Sequence, residues 1–245
     1  MIDEIDVAII GAGAAGIAAA RRLSGGPLSF LVLEASARIG GRASTERHAG
    51  LALDMGCEWL HSGDRNPWSQ LADDFDLTLD RRAPVWDEQY RDLGFSAAEQ
   101  AEAHRAFAQW TRRLRFHPPP SDCAADALEA ASEWNAYIRA NVSYISGAAL
   151  ERISVADYVA YDEGSTGVNW RVPSGYGALI ARAMPESADV RLATPVDAIG
   201  LTRPGVTLAT PRGNLRARAA IVTVSTEVLA QEKLSLPREL EAWRF

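Results

Sequence analysis

Lysine is almost missing from this chain: of its 25 basic residues only Lys233 is a lysine. That is a compositional bias and carries no function by itself. Basic charge is in deficit altogether, with a net charge of −7, so a nucleic-acid partner, which calls for a basic face, is not expected. Cys57 and Cys123 are the only cysteines, and no Cys/His spacing reads as a metal site, so no metal is expected. Two thiols in so long a chain suit a reducing compartment, or indifference to one. Long apolar runs are lacking too. The longest, "VAIIGAGAAGIAAA", is too short and too rich in glycine to span a bilayer, which needs roughly 20 residues, so no membrane partner is expected. Asp3, Glu4 and Asp6 stand where a signal peptide would be basic, which leaves the cytoplasm as the expected location.

What is present is ordinary for a globular protein: 245 residues, 47% hydrophobic and 23% charged, enough for one large domain or two small ones. The first segment alternates strand and helix. "VAII" (7–10) reads as a buried strand, "AAGIAAARRLS" as a helix ended by Gly25-Gly26, and "FLVLE" (30–34) as a second buried strand, a parallel βαβ unit. "GLALDMG" reads as a further buried strand, and Asn66-Pro67 as the N-cap and first turn of a helix.

Gly11, Gly13 and Gly16 form G-x-G-x-x-G between the first strand and its helix, with Ala14 and Ala15 in the first turn. Gly11 permits the tight turn, Gly13 admits a pyrophosphate to the backbone, and Gly16 lets helix and strand pack closely. The phosphates would then meet the free N–H groups and positive end of the helix. Glu34, followed by Ala35, ends the second strand 18 residues after Gly16, where a carboxylate can accept from ribose hydroxyls. Beyond it, "ARIGGRAST" sets Arg38, Gly40, Gly41 and Arg42 in a loop that allows close backbone approach, with arginine forks suited to phosphate oxygens. Either arginine can instead be solvated beside the loop; Arg42 is the one expected at the pyrophosphate.

From about residue 77 the character changes. Ser96 and Glu99 form a capping box ahead of a helix with Phe107, Trp110 and Leu114 at helical spacing. Pro118 to Pro120 stop it, Ser121 or Asp122 is expected to cap a second helix carrying Leu128, Trp134, Tyr137 and Ile138, and Ser154 a third. After "WRVPSGYG" come a helix and a β-meander turning at 203–205 and 211–214, ending in "AAIVTV", a strand suited to rejoining the parallel sheet. The expected division is 1–76 and 170–228 as the two parts of one dinucleotide-binding domain, 77–169 as a mostly helical substrate-side domain, and 229–245 as the start of an incomplete substrate domain.

One short run concentrates reactive chemistry: "LDMGCEWLH" sets Cys57, Glu58, Trp59 and His61 within five positions. With "VAIIGAGAAGIAAARRL", "VLEASARIGGRAST", "LDMGCEWLHSGDRNP", "RVPSGYGALI" and "LATPVDAI…AAIVTVSTEVL" in that order, the chain resembles the flavin-containing amine oxidases, especially the polyamine oxidases, over most of residues 5 to 229. The D-x-G-x-x-W-[LI]-H run followed by N-P is the most specific of these motifs. The resemblance implies an α/β fold: a Rossmann-like, two-dinucleotide-binding FAD domain with a helical substrate-domain insertion and a β-meander. It implies that Gly56, Cys57, Glu58 and Trp59 lie along the flavin ring, with Gly56 letting the backbone pass close. It puts His61 close to the substrate amine as the catalytic candidate, Val196 with its backbone facing the adenine, and Thr223 near the cofactor. Cys57 stands in place of a usual alanine, Glu58 of a small polar residue and Ser62 of a glycine. Cys57 is expected to be a small buried hydrophobe; Glu58 can attract a cationic substrate or simply point to water.

The implied reaction is oxidation of an amine C–N bond by hydride loss to FAD, followed by imine hydrolysis and reoxidation by O2 to H2O2. Lys233 does not match the family's later lysine motif, and the motifs that close the flavin site are not in the sequence. The chain is therefore expected to be a fragment, a truncated product or one subunit of a split enzyme, with a second polypeptide supplying the rest. Two alternatives stay open: a flavin-binding or interaction module without turnover, and a related FAD-dependent desaturase or protoporphyrinogen-oxidase-like enzyme.

Overall fold

Apolar residues that run straight into glycines make a short buried strand, and β1 spans Ile5–Ile10 with its last four residues buried. The computed structural model describes residues 5–86 and 94–243. Residues 87–93 of the expected helical block and the last two of the expected final segment lie outside it. Helix α1 (Ala14–Leu23) buries Gly16, Ile17 and Ala20 and carries Arg21 and Arg22 beside its negative C-terminal end. Strand β2 (Phe30–Leu33) lies parallel to β1, with Val7 opposite Phe30 and Ile10 opposite Leu33. The βαβ unit is as expected.

The next segment departs from expectation. Strands β3 (Thr45–His48) and β4 (Leu51–Asp54) pair only with each other, as an antiparallel hairpin. The run read as a buried strand leaves Leu51 64% and Leu53 41% exposed, because the two-stranded ribbon stands outside the main sheet and no described element forms a layer over that face. Strand β5 (Trp59–His61) follows, then helix α2 (Pro67–Asp74), capped by Asn66, whose Oδ1 accepts from the Trp68 amide at 3.0 Å.

Residues Ala83–Val168 form a unit of their own, distinct from Met1–Arg82 with Asn169–Phe245. Its first helix, α3 (Ala97–Phe116), opens with the capping box: the Ser96 hydroxyl accepts from the Glu99 amide, and the Glu99 carboxylate accepts from the Ser96 amide at 2.7 Å. Trp110 and Leu114 sit in a core with Ile138, Val142, Leu150 and Tyr158, and the Trp110 Nε1–H finds the Ala124 carbonyl at 3.1 Å. The helix expected from Ser121 or Asp122 through Ile138 does not form as one piece. A single 3-10 turn covers Ala124–Ala127, and α4 (Asn135–Ser146) starts only after Trp134. Asp122, at φ +57°, turns its carboxylate instead to α5 (Val155–Gly164), accepting from the Ser154 hydroxyl at 2.7 Å and the Ala156 amide at 3.0 Å. Ser154 is the N-cap of α5, as expected.

The chain then returns to the first unit. Strand β6 (Asn169–Arg171) pairs antiparallel with β5, helix α6 spans Tyr176–Arg182, and β7 (Asp189–Arg191) joins the outer edge of β2. The expected meander follows as β8 (Ala198–Leu201), β9 (Val206–Thr210) and β10 (Gly213–Val222), with α7 (Thr226–Ala230) after it. The first half of β10 runs antiparallel to β9; its second half runs parallel to β1, with Ile5 opposite Ala217 and Ile10 opposite Val222. The six-stranded sheet is ordered β7-β2-β1-β10-β9-β8. Ala8 and Ile10 face a core with Leu33, Val196, Leu208 and Leu234, while Val7 and Ile9 face Ala12, Ala20 and Val32. A strand buried on both faces belongs at the sheet's centre, with its C-terminal end at the glycine turn.

Candidate functional site

The first glycine stretch turns directly off β1. A Cβ on residue 16 would stand 1.9 Å from the Gly11 carbonyl oxygen, so helix and turn can touch only if residue 16 is glycine. Thr223, one residue past β10, clips the same turn: its amide donates to the Ile10 carbonyl at 2.9 Å, and its hydroxyl lies 2.8 Å from that oxygen and 3.1 Å from the Gly11 carbonyl. No side chain caps α1 behind Gly13, which leaves its first-turn amides, around Ala14, Ala15 and Gly16, to water or an anion.

Glu34 is buried at the end of β2. Its Oε2 accepts from the Ala12 amide at 2.7 Å and its Oε1 from the Ser36 amide at 2.8 Å, with exposed Ala35 between them. The carbonyl of Glu34 accepts from Thr194 at 2.8 Å, two residues before buried Val196, so the acid and Val196 lie on adjoining segments.

The second glycine stretch lies over the first. The Gly40 amide donates to the Ala12 carbonyl at 2.8 Å, and a Cβ on residue 41 would come within 3.0 Å of Gly13 Cα. The two arginines then diverge. Arg38 Nη1 is 3.3 Å from the carbonyls of Ile39 and Ala43, so this guanidinium serves its own loop. Arg42 is exposed, and its guanidinium has no hydrogen-bond or ion-pair partner among the described residues.

The cluster at 54–61 is laid against that loop. A Cβ on residue 56 would meet the Arg42 carbonyl oxygen at 1.9 Å, and the Cys57 amide donates to the same oxygen at 3.2 Å. Gly56 is therefore required by the contact with Arg42. Cys57 is exposed, contrary to the expected buried hydrophobe, because the chain leaves the hairpin there with its backbone turned inward. Glu58 neither stands free nor merely points to water: its Oε1 lies 3.2 Å from Arg171 Nη1. Arg171 is also stacked 5.1 Å over the Trp59 ring and lies 3.8 Å from Asp80. Hydrogen bonds from Arg82, and then the charge of Arg171, hold the Asp80 carboxyl well below the usual carboxylate range. Ser62 adopts φ +51°, a left-handed conformation that suits the glycine it replaces. His61 is exposed on β5, its Nδ1 2.7 Å from Asn169 Oδ1.

Two partners escaped the sequence reading. Asp54 caps α6 from a distance: its carboxylate accepts from the amides of Tyr176 at 2.8 Å and Gly177 at 3.1 Å, and from the Thr45 hydroxyl at 2.6 Å. The signal was the bare N-cap Gly175, a helix start with no local side chain to cap it. Burial of Tyr176 beside this clamp raises its phenol to about 12, with Cys57 adding to the shift. Asn169 had no local signal, since only strand register brings it to His61.

Residues 14–93 and 88–245 match the family described as flavin containing amine oxidoreductase. The chain belongs to that family. Polyamine oxidase 4 of Oryza sativa subsp. japonica is 26% identical over 284 residues, covering 97% of this chain and 55% of the relative. Pseudooxynicotine dehydrogenase of Pseudomonas sp is 25% identical over 280 residues, covering 98% and 55%. A solved putrescine oxidase bound to putrescine shares the fold, with a TM-score of 0.70 and 21% identity, covering 96% of this chain and 62% of that one. The chain thus spans a little over half the length of the relatives it matches from end to end.

As a member of the flavin containing amine oxidoreductases, the chain has FAD as its cofactor, and its donor set fits the dinucleotide half. An uncapped helix N-terminus, two glycine backbones in contact and an unpaired arginine suit a pyrophosphate. Among the described residues no group of three or more His, Cys, Asp or Glu could hold a metal ion, and no helix is long and apolar enough to cross a membrane.

Proposed function

We propose that this chain forms the FAD-holding part of an enzyme that oxidises a small-molecule amine, a polyamine or another primary or secondary amine, with O2 as electron acceptor and H2O2 as product. The observation that carries the reading is the continuity of one segment: Arg42, unpaired beside the glycine contact, packs its carbonyl on Gly56, five residues before His61. When bound, FAD supplies the acceptor for a hydride leaving the carbon next to the amine.

The residues divide the remaining work. The amides at Gly13, Ala14, Ala15 and Gly16 and the Arg42 guanidinium bind the diphosphate, while Glu34 keeps an acceptor position on Oε2 for a ribose hydroxyl beside Ala35. Gly40, Gly41 and Arg38 shape the loop that covers the diphosphate. Val196 and Thr223 line the adenine side and the turn, and Gly56, Cys57, Glu58 and Trp59 lie along the ring. His61 takes the proton of the substrate ammonium, since only a neutral amine has the lone pair that assists loss of hydride. The Glu58–Arg171 pair presents little net charge to the amine, so His61 is the group that meets it.

The chain covers 55% of the relatives matched end to end, and the rest of the substrate side, carried on further chain or on a second polypeptide, belongs to this reading. The cytoplasm is the proposed setting, in keeping with two free thiols, although a human relative is named peroxisomal. One observation favours a variant: two relatives are named dehydrogenases, which supports an acceptor other than O2.

The chain by itself should retain little FAD and oxidise no amine, and the missing half of the family fold, added in trans, should restore yellow colour and peroxide. Peroxide release against anaerobic dye reduction separates the two acceptors. In that reconstituted enzyme His61→Ala should lower amine turnover and leave the flavin bound. Loss of flavin with unchanged activity per FAD would remove His61 from catalysis.

A further inference from the structure

Trp59 and Arg171 stand opposite each other in the β5–β6 pair, and His61 follows two residues along β5. Residues two apart on a strand share a face and lie roughly 7 Å from each other, so Arg171 belongs to the row beside His61. Its guanidinium carbon lies 5.1 Å over the Trp59 ring, and its Nη1 lies 3.2 Å from Glu58 Oε1. The backbone of Arg171 is held from the other side. Its amide donates to the Asp80 carbonyl at 3.0 Å, and the Asp80 amide donates to the Arg171 carbonyl at 2.9 Å. The Asp80 carboxylate, gripped by Arg82 at 2.6 and 2.8 Å, fixes a negative charge 3.8 Å from Arg171 Nη2.

A carboxylate beside the face of an indole is a donor set that binds an organic ammonium, through charge and through the ring quadrupole. Here both groups are already turned to a cation of the chain itself. We infer that Arg171 fills an ammonium subsite made by Glu58 and Trp59, so that the site takes amines with a single cationic nitrogen and turns away diamines and polyamines. This deepens the amine-oxidising reading and rests on it for its purpose. A second ammonium entering beside His61 could reach Glu58 only by displacing a guanidinium that two backbone bonds and the Asp80 charge hold in place. It would shed its hydration for a carboxylate already neutralised. Arg171 is thus a specificity-determining residue, and Glu58 serves to hold it.

The test needs neither flavin nor turnover. The full chain has seven tryptophans; labelled with 5-fluorotryptophan, it gives resolved 19F signals, and Trp59→Phe assigns the ring of interest. Spermidine is then titrated at constant ionic strength. The unmodified chain should show no saturable shift at Trp59. Arg171→Ala should gain one, and adding Glu58→Gln to that variant should abolish it. A saturable shift in the unmodified chain, no shift in a folded Arg171 variant, or a shift that survives Glu58→Gln overturns the inference. Should the alanine variant fail to fold, Arg171→Met, which keeps the stem and removes the charge, makes the same test. If spermidine behaves as inferred and the reconstituted enzyme oxidises no amine, the amine-oxidising reading falls while the filled ammonium subsite stands.

Discussion

Ala12 donates its amide proton to Glu34 Oε2 across 2.7 Å, tying the glycine turn to the end of the neighbouring strand. Ala12 has no exposed surface in the intact chain, where the carboxylate is the partner of its amide. Glu34→Ala should therefore destabilise the flavin-free chain by about 1–3 kcal/mol, the cost of one orphaned buried donor. Urea unfolding without FAD measures it. An unchanged midpoint would mean the acid serves the ribose alone.

Arg42→Ala should weaken FAD binding more than Arg38→Ala. Of the two, Arg42 is the one whose guanidinium has no partner among the described residues, and each charge-assisted hydrogen bond lost costs about 1.5–3 kcal/mol, roughly 10- to 150-fold in Kd. Arg38→Ala removes contacts to two carbonyls of its own loop and should act weakly. Flavin fluorescence titrations of both variants decide it, and equal or reversed effects would mean the pyrophosphate contact is misassigned.

The fingerprint glycines should separate into two kinds. Gly16→Ala drives a Cβ to 1.9 Å from a backbone oxygen and should cost the fold at least about 2 kcal/mol. Gly13→Ala places its Cβ at an ordinary 3.7 Å from Gly41 and should leave the fold near its original stability while crowding the diphosphate. Thermal unfolding with and without FAD reads both.

Asp54→Ala should strip the cap from α6 at a cost of about 1–3 kcal/mol. Hydrogen exchange gives the sharper readout: the Tyr176 and Gly177 amides should exchange faster, with those of β1 and β2 little changed. Uniform acceleration across the sheet would show that the clamp is global.

Acid should loosen the helical unit through Asp122. The Ser154 hydroxyl first, and then the Ala156 amide, hold its carboxyl below the ordinary 3.8. A depressed folded value stabilises above the unfolded one, and the benefit is lost as pH falls through the folded value. Asp122→Asn should thus be less stable than the unmodified chain near neutrality, and the gap should narrow below about pH 4. A gap independent of pH would mean the side chain acts through shape alone.

Much of this was legible because it is local. The caps Asn66, Ser96 and Ser154 sit beside the amides they serve, and β1, α1 and β2 are declared by apolar runs broken by glycine. What escaped depends on residues distant in sequence. Leu51 and Leu53 are as apolar as a core strand, yet they lie on a hairpin outside the main sheet. Asp122 is a fair cap for a helix of its own, but it serves one that begins at Val155. At the site, the glycines and Arg42 follow from spacing, whereas the partners of Glu58, Asp54 and His61 are set by strand pairing and helix docking across more than a hundred residues.

Strand β1 is the first strand of the sheet to leave the ribosome, and β10, which lies against one of its edges from Ile5 opposite Ala217 onward, is the last. At translation speeds of about 5–20 residues per second, that edge waits roughly 10–40 s for its neighbour. Residues 83–168, whose packing is comparatively local, are synthesised within the interval and can settle first. Until β10 arrives, one side of β1 offers unsatisfied backbone groups between apolar side chains, the kind of edge that chaperones guard and aggregates exploit.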